Sequence, residues 1–156
     1  MTVTFCGHRD ISQRDNVRQW LCETVERLIT QEGADMFLLG GYGGFDRMAS
    51  SVVWEMKKKY PQIKSVLVLP YLDRKMDESQ CDWTVYPGLE SVPKRYAITH
   101  RNRYMVNEAD VVVAYVLHGW GGAAQTLEYA EHKKKHIILY KETADLSIQN
   151  RRVLYE

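Results

Sequence analysis

The chain has 156 residues, 45% of them hydrophobic and 26% charged, which is enough for one full core and typical of an ordinary globular domain. Twenty-one Lys and Arg against twenty Asp and Glu leave a net charge of +1, so no global basic field advertises nucleic acid or an anionic membrane, and any anion site must be local. No apolar stretch reaches transmembrane length, MTVTFCGHRD lacks the regions of a signal peptide, and Cys6, Cys22 and Cys81 form no CxxC pair, so a cytoplasmic protein with reduced thiols and no metal site is expected.

In chain order, Val3 to Cys6 reads as a first strand. Ser12 with Asp15 three residues on resembles a capping box, and Val17, Leu21, Val25 and Leu28 follow at helical spacing up to Gly33. Met36 to Leu39 is a second strand. Phe45, Met48, Ala49, Val52, Val53 and Met56 then form a helical series ending in Lys57-Lys58-Lys59, a solvated end favoured by the helix dipole. Val66 to Leu69 is a third strand stopped by Pro70. Residues 71–93 read as an irregular, charged excursion with a Pro87-Gly88 turn, either a lid or an ordered surface loop. A helix over about 94–108 leads into a fourth strand, Val111 to Leu117. A glycine turn, a helix to about Lys134 and a last strand, Ile137 to Tyr140, complete the pattern. The tail after Asp145 is too short to be a domain, and residues 1–156 read as a single one.

Strands apolar throughout and separated by helices imply βαβ units. The expected fold is α/β, a Rossmann-like doubly wound parallel sheet of about five strands with helices on both faces. In such sheets ligands bind beyond the carboxyl ends of the strands. The turns after the first, second and fourth strands all lie on that edge. They carry Gly7-His8-Arg9, then Gly40-Gly41-Tyr42-Gly43-Gly44-Phe45-Asp46, then HGWGG from His118 to Gly122. Glycine lets backbone approach an anion, and a helix beginning just after offers free N–H groups and the positive end of its dipole. A single glycine turn needs no ligand to explain it. Two with doubled glycines on one edge point to a site.

The turn after the second strand is not a P-loop, because no Gly-Lys-Ser/Thr follows. Gly119 to Ala124 satisfies G-x-G-x-x-A, with Glu142 where a ribose-binding acid belongs. That fingerprint ordinarily opens on the first strand of a six-stranded fold, whereas here only one strand follows. Arg101 lies in the apolar stripe of Ile98 and Met105, where an unpaired guanidinium would cost several kcal/mol. Its partner is either a carboxylate such as Glu108 or Asp110, or a bound phosphate or carboxylate. Glu128 follows the last glycine turn. It is either a solvated helical acid, a hydrogen-bond acceptor for sugar hydroxyls, or a charge stabiliser at a glycosidic carbon. Asp46 fits a ribose acceptor or a helix cap; His8 and Arg9 fit a ligand or a pairing with Asp10. His132 and His136 straddle a helix-to-strand break, which argues against a metal pair.

Four motifs in order, GHRD, LLGGYGGFDRMAS, RNRYMVNEADVVVAYV and GGAAQTLEYA, resemble the SLOG superfamily and, within it, the YpsA-like branch, from about Val3 to Leu139. The resemblance implies binding of a nucleotide or nucleotide-derived ligand. The superfamily includes the cytokinin-activating phosphoribohydrolases and DNA-processing protein A. By similarity, Arg101 matches the phosphoribohydrolase arginine, and Gly121, Gly122 and Glu128 match the glycines and acid of P-G-G-x-G-T-x-x-E. Trp120 replaces the proline, Ala124 and Gln125 replace the Gly-Thr pair, and Thr126 follows one place later.

The reading is therefore a nucleotide-type binding domain, in the manner of a sensor or signalling module. Arg101 and Glu128 are its candidate catalytic residues. Gly7, His8, Arg9, Gly40, Gly41, Gly43, Gly44, Asp46, Asn102, Gly121, Gly122 and Thr126 are its candidate ligand contacts. The alternative is N-glycoside hydrolysis of nucleoside 5′-monophosphates. No cofactor is expected beyond the nucleotide-like small molecule, nor is a membrane or nucleic acid partner. Members of such groups often pair through helices, so a homo-oligomer is an expectation that the sequence does not localise.

Overall fold

The computed structural model describes residues 1–142. The tail after Asp145 therefore lies outside the described residues. Six strands form one all-parallel sheet: β1 Thr2–Gly7, β2 Met36–Leu39, β3 Lys64–Val68, β4 Trp83–Val85, β5 Val111–Tyr115 and β6 His136–Leu139. Their order is β4-β3-β2-β1-β5-β6. Four helices, α1 Arg14–Glu32, α2 Gly43–Lys59, α3 Ala97–Glu108 and α4 Gly122–His132, cover its two faces.

Alternation along the buried strands explains the layering. Val3, Phe5, Phe37, Leu39, Leu67, Val111, Val113 and Tyr115 join one core with Leu21, Val25 and Leu28 of α1 and Phe45, Ala49 and Val52 of α2. The intervening residues face the other way. Cys6, Val112 and Ala114 pack with Val106 of α3 and Ala130 of α4, while Leu38, Val66 and Val68 pack with Met105. The Rossmann-like α/β reading holds, with six strands where about five were expected.

The sixth is β4, inside the stretch read as irregular. It pairs with β3 through Val66–Trp83, Leu67–Thr84 and Val68–Val85. Asp82 anchors its start, accepting the Ser65 amide at 2.7 Å and pairing with Lys57. Lys58 and Lys59 pair with Glu55 and Glu26, so the lysine run is neutralised locally. The expected helix at 94–108 opens as a 3-10 turn, Lys94–Tyr96, before α3.

The start of α1 departs from expectation. Gln13 stands at its head in left-handed backbone, φ 53°, and no side chain caps the helix. The Ser12 amide and hydroxyl lie instead at 3.3 Å from the Tyr115 hydroxyl, 103 residues away, so the Ser12–Asp15 capping box does not form. Gly33 ends the helix as read, at φ 74° with its N–H on the Leu28 carbonyl.

Candidate functional site

β1 and β5 are neighbours at the point where chain order reverses, with β2 to β4 on one side and β6 on the other. The crevice outside their carboxyl ends is where the fold leaves room for a ligand. A cleft of about 340 Å³ lies there, walled by the end of β1 and the loop after it (Phe5 to Asp10), Tyr42 and Asp46, Arg101 and Asn102 of α3, and His118 and Trp120 to Ala123 in the turn into α4.

The turn from β2 into α2 is closed. The Gly44 amide donates to the Arg9 carbonyl at 2.8 Å and the Phe45 amide to the His8 carbonyl at 3.3 Å, so the loop after β1 occupies the amino end of α2. A Cβ on Gly44 would sit 2.4 Å from the Arg9 carbonyl oxygen, and Gly43 holds φ 85°. These glycines are required by backbone packing. The Tyr42 amide donates to the Asp46 carboxylate at 3.1 Å, and of this turn only Tyr42 and Asp46 line the cleft.

Arg101 is 1% exposed, as its place in an apolar stripe demanded. Its partners are not Glu108 or Asp110. Its Nη1 donates to the carbonyls of Gly40 at 2.7 Å and Val68 at 2.8 Å, joining the ends of β2 and β3. Its Nε donates to the Asn102 side-chain oxygen at 2.9 Å, and Tyr42 stacks beneath the guanidinium at 5.5 Å. Asp110 instead accepts the Thr2 amide at 2.8 Å. Arg101 also lies in the electrostatic field of Asp46. Burial lifts that carboxyl to about 6, while Arg101, the Tyr42 amide and Arg47 pull it down. The Cys6 thiol at the cleft floor is pushed up to about 12, first by burial and then by Asp46, which leaves it inert as a nucleophile.

The turn from β5 into α4 is open. Gly121 holds φ 91° at the head of α4, no side chain caps that helix, and nothing lies within 4 Å of where a Cβ on Gly119, Gly121 or Gly122 would stand. The first amide here turned back on the chain is that of Gln125, on the Gly121 carbonyl at 3.1 Å. The amino end of α4 thus faces the cleft with its leading amides available. Asn102 reaches this end, donating to Thr126 at 3.4 Å, and Thr126 donates to the Gly122 carbonyl at 2.9 Å.

Three rings stack along the same wall. His8 lies on His118 at 3.8 Å and 12°, and His118 on Trp120 at 3.8 Å and 17°. His8 Nε2 accepts the Leu117 amide at 2.8 Å, which requires that nitrogen to be unprotonated. Burial, then the neighbouring His118, lowers the His8 pKa and favours this neutral form. β5 ends at Tyr115, two residues short of the expected end. The buried Nδ1 of His118 has no hydrogen-bond partner among the described residues. Trp120 is 73% exposed.

Of the sequence candidates, Gly7, His8, Arg9, Asp46, Arg101, Asn102, Gly121, Gly122 and Thr126 line this one cleft. Gly41 and Gly43 line a second cavity beyond Tyr42. Gly40 is wedged beside Asp46 and Arg101, and Gly44 under Arg9. Glu128 is exposed and lines the groove between α3 and α4 and the outer face of the turn, not the cleft that holds Arg101. Glu142 does not line the cleft either, so the dinucleotide fingerprint lacks its acid there. Sequence reasoning passed over His118, Trp120 and Tyr42 as contacts. The available signal was an aromatic pair inside a glycine turn, where burial in the core is not an option.

A family model described as the YspA SLOG family matches residues 8–137. The chain belongs to the SLOG family. An uncharacterised SPbeta prophage-derived protein of Bacillus subtilis (strain 168), YoqJ, is 27% identical to this SLOG chain over 133 residues, covering 71% of this chain and 78% of the relative. Among solved structures, the molybdenum cofactor binding protein of Rippkaea orientalis superposes with a TM-score of 0.62 at 20% identity, over 96% of this chain and 82% of its own. DNA processing protein A of Helicobacter pylori, described by its single-stranded DNA binding mode, gives 0.64 at 18% identity, over 96% and 73%. At these identities the likeness establishes a shared fold. The expectation that a nucleic acid is an unlikely partner finds no support in these likenesses. Among the described residues no helix is long and apolar enough to cross a membrane.

Proposed function

We propose that this SLOG domain binds a nucleotide or nucleotide-derived small molecule in the β1–β5 cleft. Its phosphate would lie on the amino end of α4, and its planar ring against Trp120. The observation that carries this reading is the open end of α4, whose amides and glycine surface face a cleft walled by a three-ring stack. A helix amino end attracts anions through its unpaired N–H groups and dipole. An exposed tryptophan in a glycine turn offers a stacking face for a base. The orphan Nδ1 of His118 calls for a partner that the described residues do not supply. Arg9 and Asn102 add donors, and Asp46 an acceptor for a sugar hydroxyl. A volume of about 340 Å³ suits one mononucleotide-sized group.

The reading is one of binding, as in a sensor. The Cys6 thiol is held far from ionisation, and Glu128, the acid that hydrolysis would need, stands outside the cleft. Calorimetric titration at low salt with AMP, GMP, cyclic nucleotides and ADP-ribose tests it. At least one should bind, and Trp120→Ala should weaken it roughly tenfold or more, the worth of one base stacked on an aromatic ring. Silence across the panel from folded protein would overturn the proposal.

A further inference from the structure

Arg9 and Tyr42 line not one cavity but two. Beyond them, along the ends of β2 and β3, lies a second hollow of about 660 Å³. Its floor is apolar, with Leu39 and Leu67 among its lining residues. Its outer wall is the stretch from Lys75 to Cys81, which is seated in the fold: a Cβ on Gly41 would meet the Met76 methyl at 2.7 Å, and Met76 packs on the main core.

Three cations line it: Arg9, Arg47 and Lys75. Lys57, Lys58, Lys59 and Lys94 each pair with a carboxylate, whereas among the described residues none of these three makes an ion pair. Asp77 is the one carboxylate of the lining, and it turns to its own loop, accepting from the Ser79 amide at 2.9 Å and from its hydroxyl. Like charges gathered around a concave, apolar-floored space repel one another unless an anion enters.

We propose that this second hollow is an anion subsite and that the ligand is bipartite. A nucleoside monophosphate half would occupy the cleft, and a further phosphate or phosphoribosyl group would cross Arg9 and Tyr42 to meet Arg47 and Lys75. The inference rests on the nucleotide reading of the cleft. It extends that reading from a mononucleotide to a ligand with two separated anionic or sugar-phosphate groups.

The test compares AMP with ADP-ribose by calorimetry, on the unmodified protein and on Arg47→Ala/Lys75→Ala. ADP-ribose should bind the unmodified protein roughly tenfold or more tightly than AMP, as expected for charge-assisted contacts to one added group. In the double variant the ratio of the two affinities should fall close to unity. Lys75→Glu, a charge reversal at an exposed position, should reduce the same ratio and serves if the double variant folds poorly. AMP binding without any ADP-ribose advantage, or an advantage that survives both variants, overturns the second subsite and leaves the cleft reading intact. Failure of both ligands to bind overturns the second subsite, and silence across the whole nucleotide panel overturns the cleft reading as well.

Discussion

The turn from β2 into α2 and the turn from β5 into α4 are both glycine-rich strand-to-helix connections on the same sheet edge, yet the fold treats them oppositely. The first is filled by the chain itself: carbonyls of His8 and Arg9 take the amides at the start of α2, and Arg101 fastens Gly40 to the end of β3. The second is left bare, with nothing near the Cβ positions of its glycines. Glycine therefore has two distinct uses here, one to admit neighbouring backbone and one to leave a surface uncovered. Arg101, Asn102 and Thr126 link them, running by hydrogen bonds from the closed turn to the amino end of α4.

The strongest way to break this comparison is to add one methyl group to each turn. Gly44→Ala places a Cβ against the Arg9 carbonyl and should cost about 1–3 kcal/mol in denaturant unfolding, as overpacking does. Gly122→Ala meets nothing and should leave stability unchanged or raise it by up to about 1 kcal/mol, since alanine is the better helix former. Equal losses in both would mean that the two turns are not different. The next effect is on pH dependence. Asp46 faces Arg101, Arg47, the Tyr42 amide and Cys6, and its pKa is raised from 3.8 to about 6. A raised carboxyl pKa means the fold prefers the neutral acid. Its contribution to stability is complete below 3.8 and is lost as pH rises through about 6. The cleft gains a negative charge over the same interval. Affinity for ADP-ribose, whose diphosphate does not titrate there, should fall as pH rises from about 5 to 7. Asp46→Asn should make that slope shallower. A slope identical in the variant would remove Asp46 from the account. The smallest effect belongs to Glu128→Gln. It should shift ligand binding and stability by less than about 0.5 kcal/mol, as for a solvated helical side chain. A tenfold loss of affinity would return that carboxylate to the site.

The layered fold was legible because its buried strands are apolar throughout and its helices carry clean stripes. Arg101 was legible as an anomaly within such a stripe, but its partners were not. Backbone carbonyls at the ends of β2 and β3 leave no mark in the residue pattern, so a carboxylate looked like the natural choice. β4 escaped because Trp83-Thr84-Val85 is three residues at a sheet edge, amid charges, and its pairing with β3 is a property of the assembled sheet. Ser12 looked like a cap because its rival, the Tyr115 hydroxyl, arrives from 103 residues away. The difference between the glycine turns was hidden for the same reason. What closes one of them is the carbonyl of Arg9, a group that every residue possesses.

Trp120 gives the molecule an optical property. Of the four tryptophans, Trp20 and Trp54 are half-buried and Trp83 is 43% exposed, while Trp120 stands 73% exposed on a histidine ring at the mouth of the cleft. An indole held in water emits at long wavelength. A ring laid on its free face would dry it and shift its emission to the blue. Binding as proposed should therefore appear as a blue shift in the emission of unlabelled protein, and Trp120→Phe should remove that shift.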